Sequence, residues 1–166
     1  VFWPVLEELN RRKAVVYNHP LSVDCCRNPI PQYMVNSAIE YATDTTRTIA
    51  SLLFSGAAAR FPDIKWIHSH GGGTMPSLIE RFGIGGPDTI NDVLAKPAQP
   101  NSRLFHLRRF FYDTAQSPNI VQMQGLKTIV GINQIVFGSD YPFGAGMGRH
   151  LTSDTCRAAS CGSRRT

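Results

Sequence analysis

The chain has 166 residues, of which 42% are hydrophobic and 17% charged, a composition that suits one globular domain and excludes a disordered polar chain. No apolar stretch is long enough to span a bilayer, since the longest candidate, TIASLLFSGAAA, is broken by Ser and Gly. The formal net charge is +5, but +3 of it falls in residues 145–166, so the rest of the chain carries no signal for a nucleic-acid partner.

Apolar periodicity predicts helices and strands that alternate along residues 1–144. The predicted elements are helix 4–12, strand 14–17, helix 44–60, strand 64–69, helix 76–82 with Gly83 as its stop, strand 108–113, helix 119–131 and strand 134–138. Residues 85–102 are rich in Gly, Pro and Asn and predict a loop with a helical turn. This alternation is typical of βαβ units and a parallel sheet. Residues 145–166 lose the periodicity and predict a disordered or non-native tail.

Each predicted strand ends in a residue that is able to do chemistry: His19, His70, Asp113 or Asp140. In parallel α/β folds the carboxyl ends of the strands share one edge, where ligands bind. Residues far apart in the chain are therefore expected to meet in one pocket. Taken singly, each of them is equally compatible with a loop residue or a turn residue.

The stretch KWIHSHGGGTMP, residues 65–76, is compatible with several kinds of site. Its three glycines match neither GxGxxG nor GxxxxGK[ST], which disfavours a phosphate loop. HGGG also occurs as an oxyanion segment beside a GxSxG elbow, but the chain contains no GxSxG. A metal site needs imidazoles and carboxylates that converge, and His19, His70 and Asp140 supply them. His68 and His70 are two apart and are expected to face the same way on a strand, with His68 an inward-facing packing residue.

Four segments together resemble one known family: NHP, DTTRTIASLLFSGAAARFPDIKWIHSHGGGTMPSLIERFG, FFYDTA and QIVFGSDYPF. They resemble the amidohydrolase-related family that includes metal-dependent aromatic acid and aminocarboxymuconate-semialdehyde decarboxylases. The resemblance covers residues 1–144 and implies an α/β fold, the C-terminal half of a (β/α)8 TIM-like barrel with about four parallel strands and an irregular tail. Residues 1–144 would be the partial barrel domain and 145–166 the tail.

The resemblance also implies roles for individual residues. His19 would be a metal ligand, and Asp140 a metal ligand that also takes part in proton transfer. His70 would be the catalytic histidine. Arg81 would bind the substrate carboxylate, in some family members that of a neighbouring subunit, although a surface helix arginine is an equal alternative. Phe143 would line the pocket or simply pack in the core.

The family implies a divalent metal, Zn²⁺ or Mn²⁺, because His and Asp ligands suit both. It implies non-oxidative decarboxylation of a small aromatic or related unsaturated carboxylic acid. The alternatives are a metal-dependent hydrolase of a lactone or amide on the same fold, and a non-catalytic fragment. The family's first-strand HxH pair has no counterpart in this chain, so weak metal affinity and little activity are expected for this chain alone.

The remaining expectations concern partners and compartment. The partner is expected to be a small carboxylic acid, without nucleic acid or membrane, and full-length relatives are expected to be homo-oligomers. The cysteines have no CxxC spacing, and a reducing, cytoplasmic setting is expected. They are Cys25, Cys26, Cys156 and Cys161.

Overall fold

The computed structural model describes residues 2–21, 36–84, 88–117 and 119–143. The predicted tail and all four cysteines lie outside these residues. Four strands form one parallel sheet in the order β1-β2-β3-β4, so each strand pairs with the next one along the chain. They are β1 (Val15–Asn18), β2 (Lys65–His68), β3 (Phe111–Asp113) and β4 (Ile135–Val136).

Helical segments connect the strands, as parallel pairing requires. The α-helices are α1 (Trp3–Arg11), α2 (Glu40–Phe54), α3 (Ala57–Arg60), α4 (Ile90–Ala95), α5 (Arg103–Leu107) and α6 (Ile120–Val130). Short 3₁₀ helices cover Asn36–Ala38, His70–Gly72, Met75–Phe82 and Ile132–Gln134. Within the described ranges, none of the helices is long and apolar enough to cross a membrane.

The sheet has one face packed against helices and one open face. Trp66 and Tyr112 point to the helices and join a core that includes Ile49, Met75, Leu107, Met123 and Leu126. Strand alternation sends the neighbouring residues to the other face, where Val15 is 65% and Tyr17 is 50% exposed. The side chains at the carboxyl ends of the strands are therefore reached from this open face.

The predicted elements are present, with three differences in detail. The predicted helix 44–60 begins at Glu40 and is divided at Gly56, whose φ of 78° is left-handed, into α2 and α3. The 76–82 segment is a 3₁₀ helix that ends at left-handed Gly83, as predicted. Helix α5 was not predicted, although Ser102 before it accepts a hydrogen bond from the N–H of Phe105 as an N-cap does.

Candidate metal and catalytic site

Three strand-end side chains predicted to meet do lie together. Nε2 of His19 is 3.3 Å and Nε2 of His70 is 3.5 Å from the same oxygen, Oδ1 of Asp140. The two imidazole rings are 5.0 Å apart, edge to face. One ligand atom from each residue lies within 4.8 Å of the others, which makes this cluster a candidate metal group. We call it the His19–His70–Asp140 cluster.

Unusual backbone angles direct two of these side chains into the cluster. His70 has φ of 55° and Asp140 has φ of 57°, in the left-handed region that costs a non-glycine residue free energy. Gln116, whose side-chain amide donates to Oδ2 of Asp140, has φ of 49°. Five described non-glycine residues have positive φ, and these three adjoin one another. The local strain is concentrated where the side chains must converge.

His68 does not share the direction of His70. Strand β2 ends at His68, and the left-handed turn at His70 sends its ring to the open side of the sheet. His68 is fully buried on the helix-facing side, against Trp66, Phe110 and Tyr112, and its Nδ1 lies 2.5 Å from Oδ1 of Asn18. Burial lowers its pKa to about 3. His68 is a packing residue, as expected, but it packs on the helix-facing side of the sheet and not inward, and the expectation that His68 and His70 face the same way is also wrong.

The three glycines after His70 allow close packing of the turn. All three have positive φ. A Cβ on Gly71 would lie 2.8 Å from Nε2 of Gln122, and one on Gly72 would lie 2.9 Å from the ring of Tyr112. A Cβ on Gly73 would collide with the carbonyl oxygen of Ala42. The turn therefore lies directly on α2, β3 and α6, and close packing against these three elements explains the glycines.

Asp113 is buried directly beneath this turn, although sequence reasoning noted it only as a strand end. Its Oδ1 accepts from the backbone N–H of His70 at 2.7 Å and of Ala115 at 3.1 Å. Its Oδ2 accepts from the hydroxyl of Tyr17 at 2.7 Å. Burial raises the pKa of the Asp113 carboxyl, while these three bonds oppose that rise. Burial and the bond to Asp113 raise the pKa of Tyr17 above its usual value.

A cavity of about 480 Å³ opens beside the cluster on the open face of the sheet. Its lining includes His19 and Asp140 together with Tyr17, Asp113 and Phe143. His70 does not line the cavity, and its side chain is only 8% exposed. Its neighbours His19 and Asp140 do line the cavity. The wall is mainly aromatic and aliphatic, from Tyr17, Ile67, Val136, Phe137, Tyr141 and Phe143.

A model of the amidohydrolase family matches residues 1–148. The chain belongs to the amidohydrolase family. It is 38% identical over 154 residues to Decarboxylase yanB of Aspergillus niger, covering 86% of this chain and 39% of that protein. It is 31% identical over 148 residues to 6-methylsalicylic acid decarboxylase of Penicillium expansum, covering 85% of this chain and 42% of that protein. The chain thus spans about two fifths of the length of these relatives.

Solved structures share the fold of this amidohydrolase. A dihydroxybenzoic acid decarboxylase from Polaromonas, solved with manganese and the inhibitor 2-nitroresorcinol, superposes with a TM-score of 0.64 at 18% identity. The superposition covers 95% of this chain and 51% of that one. This match, with four parallel strands and their helices, confirms the predicted α/β fold and its correspondence to half of a (β/α)8 barrel.

The two residues predicted to bind substrate lie in different places in this amidohydrolase. Phe143 is 78% exposed and lines the cavity, so it is placed to contact a ligand there. Arg81 is exposed in the 3₁₀ helix Met75–Phe82 and is outside the residues that line the cavity. Both roles stay predictions. Binding of a substrate carboxylate by Arg81 would require a cavity other than the one beside the His19–His70–Asp140 cluster of the same chain.

The donor set of the cluster fits a divalent metal. Nδ1 of His19 lies 2.9 Å from the carbonyl oxygen of Pro20, which can only accept, so Nδ1 carries a proton. When the ring is neutral, Nε2 presents a lone pair towards the carboxylate oxygen of Asp140. Two acceptor atoms that face each other favour a cation between them. Two imidazole nitrogens and a carboxylate oxygen suit Zn²⁺ and Mn²⁺.

Proposed function

We propose that the His19–His70–Asp140 cluster belongs to a metal-dependent, non-oxidative decarboxylase of small aromatic or related unsaturated carboxylic acids. The observation that carries the proposal is the convergence of two imidazoles and a carboxylate beside one apolar cavity. The similarity to Decarboxylase yanB and to a 6-methylsalicylic acid decarboxylase supports it.

His19 and Asp140 would hold the metal, Mn²⁺ or Zn²⁺. When bound, the metal supplies Lewis acidity and fixes the orientation of the substrate carboxylate. The hydrogen bond from Nδ1 of His19 to Pro20 would keep Nε2 unprotonated and aimed at the metal, as a backbone carbonyl commonly does for a ligating histidine. The amide of Gln116 would hold the other carboxylate oxygen of Asp140.

His70 and Asp140 would move the proton. Decarboxylation forms a C–H bond at the ring carbon and breaks the bond from that carbon to the carboxylate, whose electron pair returns to the ring as CO₂ leaves. Because Asp140 lines the cavity and His70 lies behind it, Asp140 is placed to face the substrate and His70 to exchange the proton with Asp140. No oxidant or reductant is required.

The cavity wall supports an aromatic substrate. Tyr17, Phe137, Tyr141 and Phe143 surround the space beside the cluster, and three of them are more than 60% exposed. Aromatic rings pack well against a flat ring substrate. A small benzoic acid that carries a hydroxyl beside its carboxylate is the proposed substrate class.

The test compares metal content and CO₂ release. In a complete relative, such as 6-methylsalicylic acid decarboxylase, alanine at the position that aligns with His70 should abolish CO₂ release and leave the bound metal in place. Alanine at the position that aligns with Ser51, an exposed serine on α2 away from the cavity, is the matched control and should retain turnover. Undiminished CO₂ release from the first variant would refute the role of His70. A hydrolysed product without CO₂ would instead identify a hydrolase.

A further inference from the structure

The Asp113 carboxylate lies where the carboxyl ends of all four strands meet, at the edge that carries the cluster. It belongs to β3, accepts from the hydroxyl of Tyr17 on β1, and accepts from the N–H of His70 just beyond β2. Beyond β4, Gly138 approaches so closely that a Cβ there would lie 2.8 Å from Cγ and Oδ2 of Asp113. One buried side chain thus joins the ends of four strands.

Each contact leads directly to one member of the cluster. Tyr17 is two residues before His19 on the same strand end, and Gly138 is two residues before Asp140. The third contact is to the backbone of His70 itself, the residue with left-handed φ. This carboxylate therefore fixes the backbone from which each of the three side chains projects, although it lies outside the cluster.

A role in stability alone accounts poorly for a carboxylate at this position. Asp113 is 3% exposed, and a buried carboxyl group carries a desolvation penalty that hydrogen bonds only partly offset. A carboxylate instead gives two oxygens that accept bonds from separate directions, here from β1 and from the turn after β2. That geometry suits the alignment of separate strand ends.

We propose that Asp113 is a positioning residue that sets the relative placement of His19, His70 and Asp140. It acts through Tyr17, through the N–H of His70 and through contact with Gly138. The proposal deepens the proposed function and rests on it, since the placement matters for metal binding and proton transfer. Its predicted consequence for the metal-free chain, namely ordered histidine rings, does not depend on the metal.

The experiment uses the full 166-residue chain and two variants that leave Asp113 in place. Tyr17→Phe removes the hydroxyl donor, and Gly138→Ala pushes a methyl group against the carboxylate. Gly125→Ala is the matched control, because a Cβ there meets only Pro76 at 3.7 Å. Asp113→Asn keeps Oδ1 as an acceptor for His70, and Asp113→Leu removes it.

Two readouts are taken from every variant: the NMR signals of the His19 and His70 rings without metal, and the Kd for Mn²⁺ by calorimetry. Tyr17→Phe and Gly138→Ala are expected to shift both rings' signals and to weaken Mn²⁺ binding about tenfold, the loss typical of residues that orient metal ligands. Asp113→Asn should retain the signals of His70, and Gly125→Ala should match the wild type.

Unchanged ring signals and unchanged Mn²⁺ affinity in both Tyr17→Phe and Gly138→Ala would overturn the proposal, even with a lower melting temperature, since only stability would then be affected. Shifted ring signals in a chain whose wild type does not bind Mn²⁺ would support the positioning role and refute the metal function. If Asp113→Leu does not fold, Tyr17→Phe and Gly138→Ala still decide whether Asp113 positions the cluster.

Discussion

The side-chain amide of Gln122 donates to two backbone carbonyls of the glycine turn, those of His70 at 2.9 Å and Gly73 at 3.0 Å. A single residue of α6 thereby ties this helix to the segment that carries His70. The N–H of His70 donates to Asp113, and the C=O of His70 accepts from Gln122. Both backbone groups of this residue, whose left-handed conformation costs free energy, are therefore hydrogen-bonded.

Gln122→Leu should destabilise the fold because it removes the donor to the Gly73 carbonyl and leaves the His70 carbonyl with only the N–H of Gly73. The expected loss is about 1–3 kcal/mol in the free energy of unfolding, the usual penalty for buried groups left unpaired. Urea unfolding followed by circular dichroism measures it. Gln124→Leu, on the same helix, should change the free energy by much less. Equal losses in the two variants would show that the bonds to the turn contribute nothing.

Gly73→Ala should be far more damaging than Gly56→Ala. Both glycines have positive φ. Gly56 is in the left-handed α conformation, which costs alanine roughly 1–2 kcal/mol, whereas Gly73, with ψ of −131°, lies outside it in a region that alanine avoids even more. At Gly56 nothing lies within 4 Å of a new Cβ, whereas at Gly73 the Cβ collides with the Ala42 carbonyl and approaches Thr46. We expect Gly56→Ala to fold with a modest loss and Gly73→Ala to give little folded protein. Comparable melting temperatures would contradict this packing argument.

Stability should fall in mild acid because of His68. Burial holds its folded-state pKa at about 3 against an unfolded value of 6.5, so the unfolded chain binds the extra proton between these limits. Stability therefore rises with pH across this window and is lost as pH falls below 6.5. The contribution of His68 at pH 5 is a loss of about 2 kcal/mol relative to pH 7.

Unfolding by urea at pH 7 and pH 5 checks this, with His68→Gln as the reference. The glutamine amide does not titrate, so the pH-dependent loss should shrink by about that amount. An identical pH dependence in the wild type and in His68→Gln would mean that His68 is protonated in the folded chain.

Zn²⁺ binding by the 166-residue chain should be weaker than nanomolar. Within the described residues the candidate group offers three side chains, of which only His19 and Asp140 are proposed as metal ligands. Asp140→Ala should remove the remaining binding, because Asp140 faces both histidines, whereas Asp63→Ala, at an exposed carboxylate, should leave it intact. Isothermal titration measures all three proteins, and a nanomolar Kd for the wild type would refute the expectation.

The alternation of apolar segments was sufficient to predict the four strands and the edge where they end. It also identified His19, His70 and Asp140, since each lies within four residues of the end of a strand. The two-residue alternation of a strand predicted the wrong direction for His70, because the strand ends at His68 and the left-handed conformation of His70 then turns the chain. Apolar periodicity contains no signal for positive φ at a histidine, since tertiary contacts determine that conformation.

The role of Asp113 was beyond sequence reasoning for a related physical reason. Its partners are separated from it by 96 residues at Tyr17 and 43 at His70, so no local pattern connects them. Helix α5 is a different case, since the capping serine at position 102 was visible and five residues of helix were too few for a periodic pattern.

The left-handed turn at His70 separates two histidines that are only two positions apart. His68 belongs to the packed core, and His70 belongs to the His19–His70–Asp140 cluster at the carboxyl ends of the strands. One short peptide therefore contributes to both the core and the candidate site. For protein engineering, the two positions therefore pose different problems. Combinatorial libraries at position 68 can be selected for thermal tolerance while position 70 stays fixed, provided that Asn18, which bonds Nδ1 of His68 beside His19, is varied together with it.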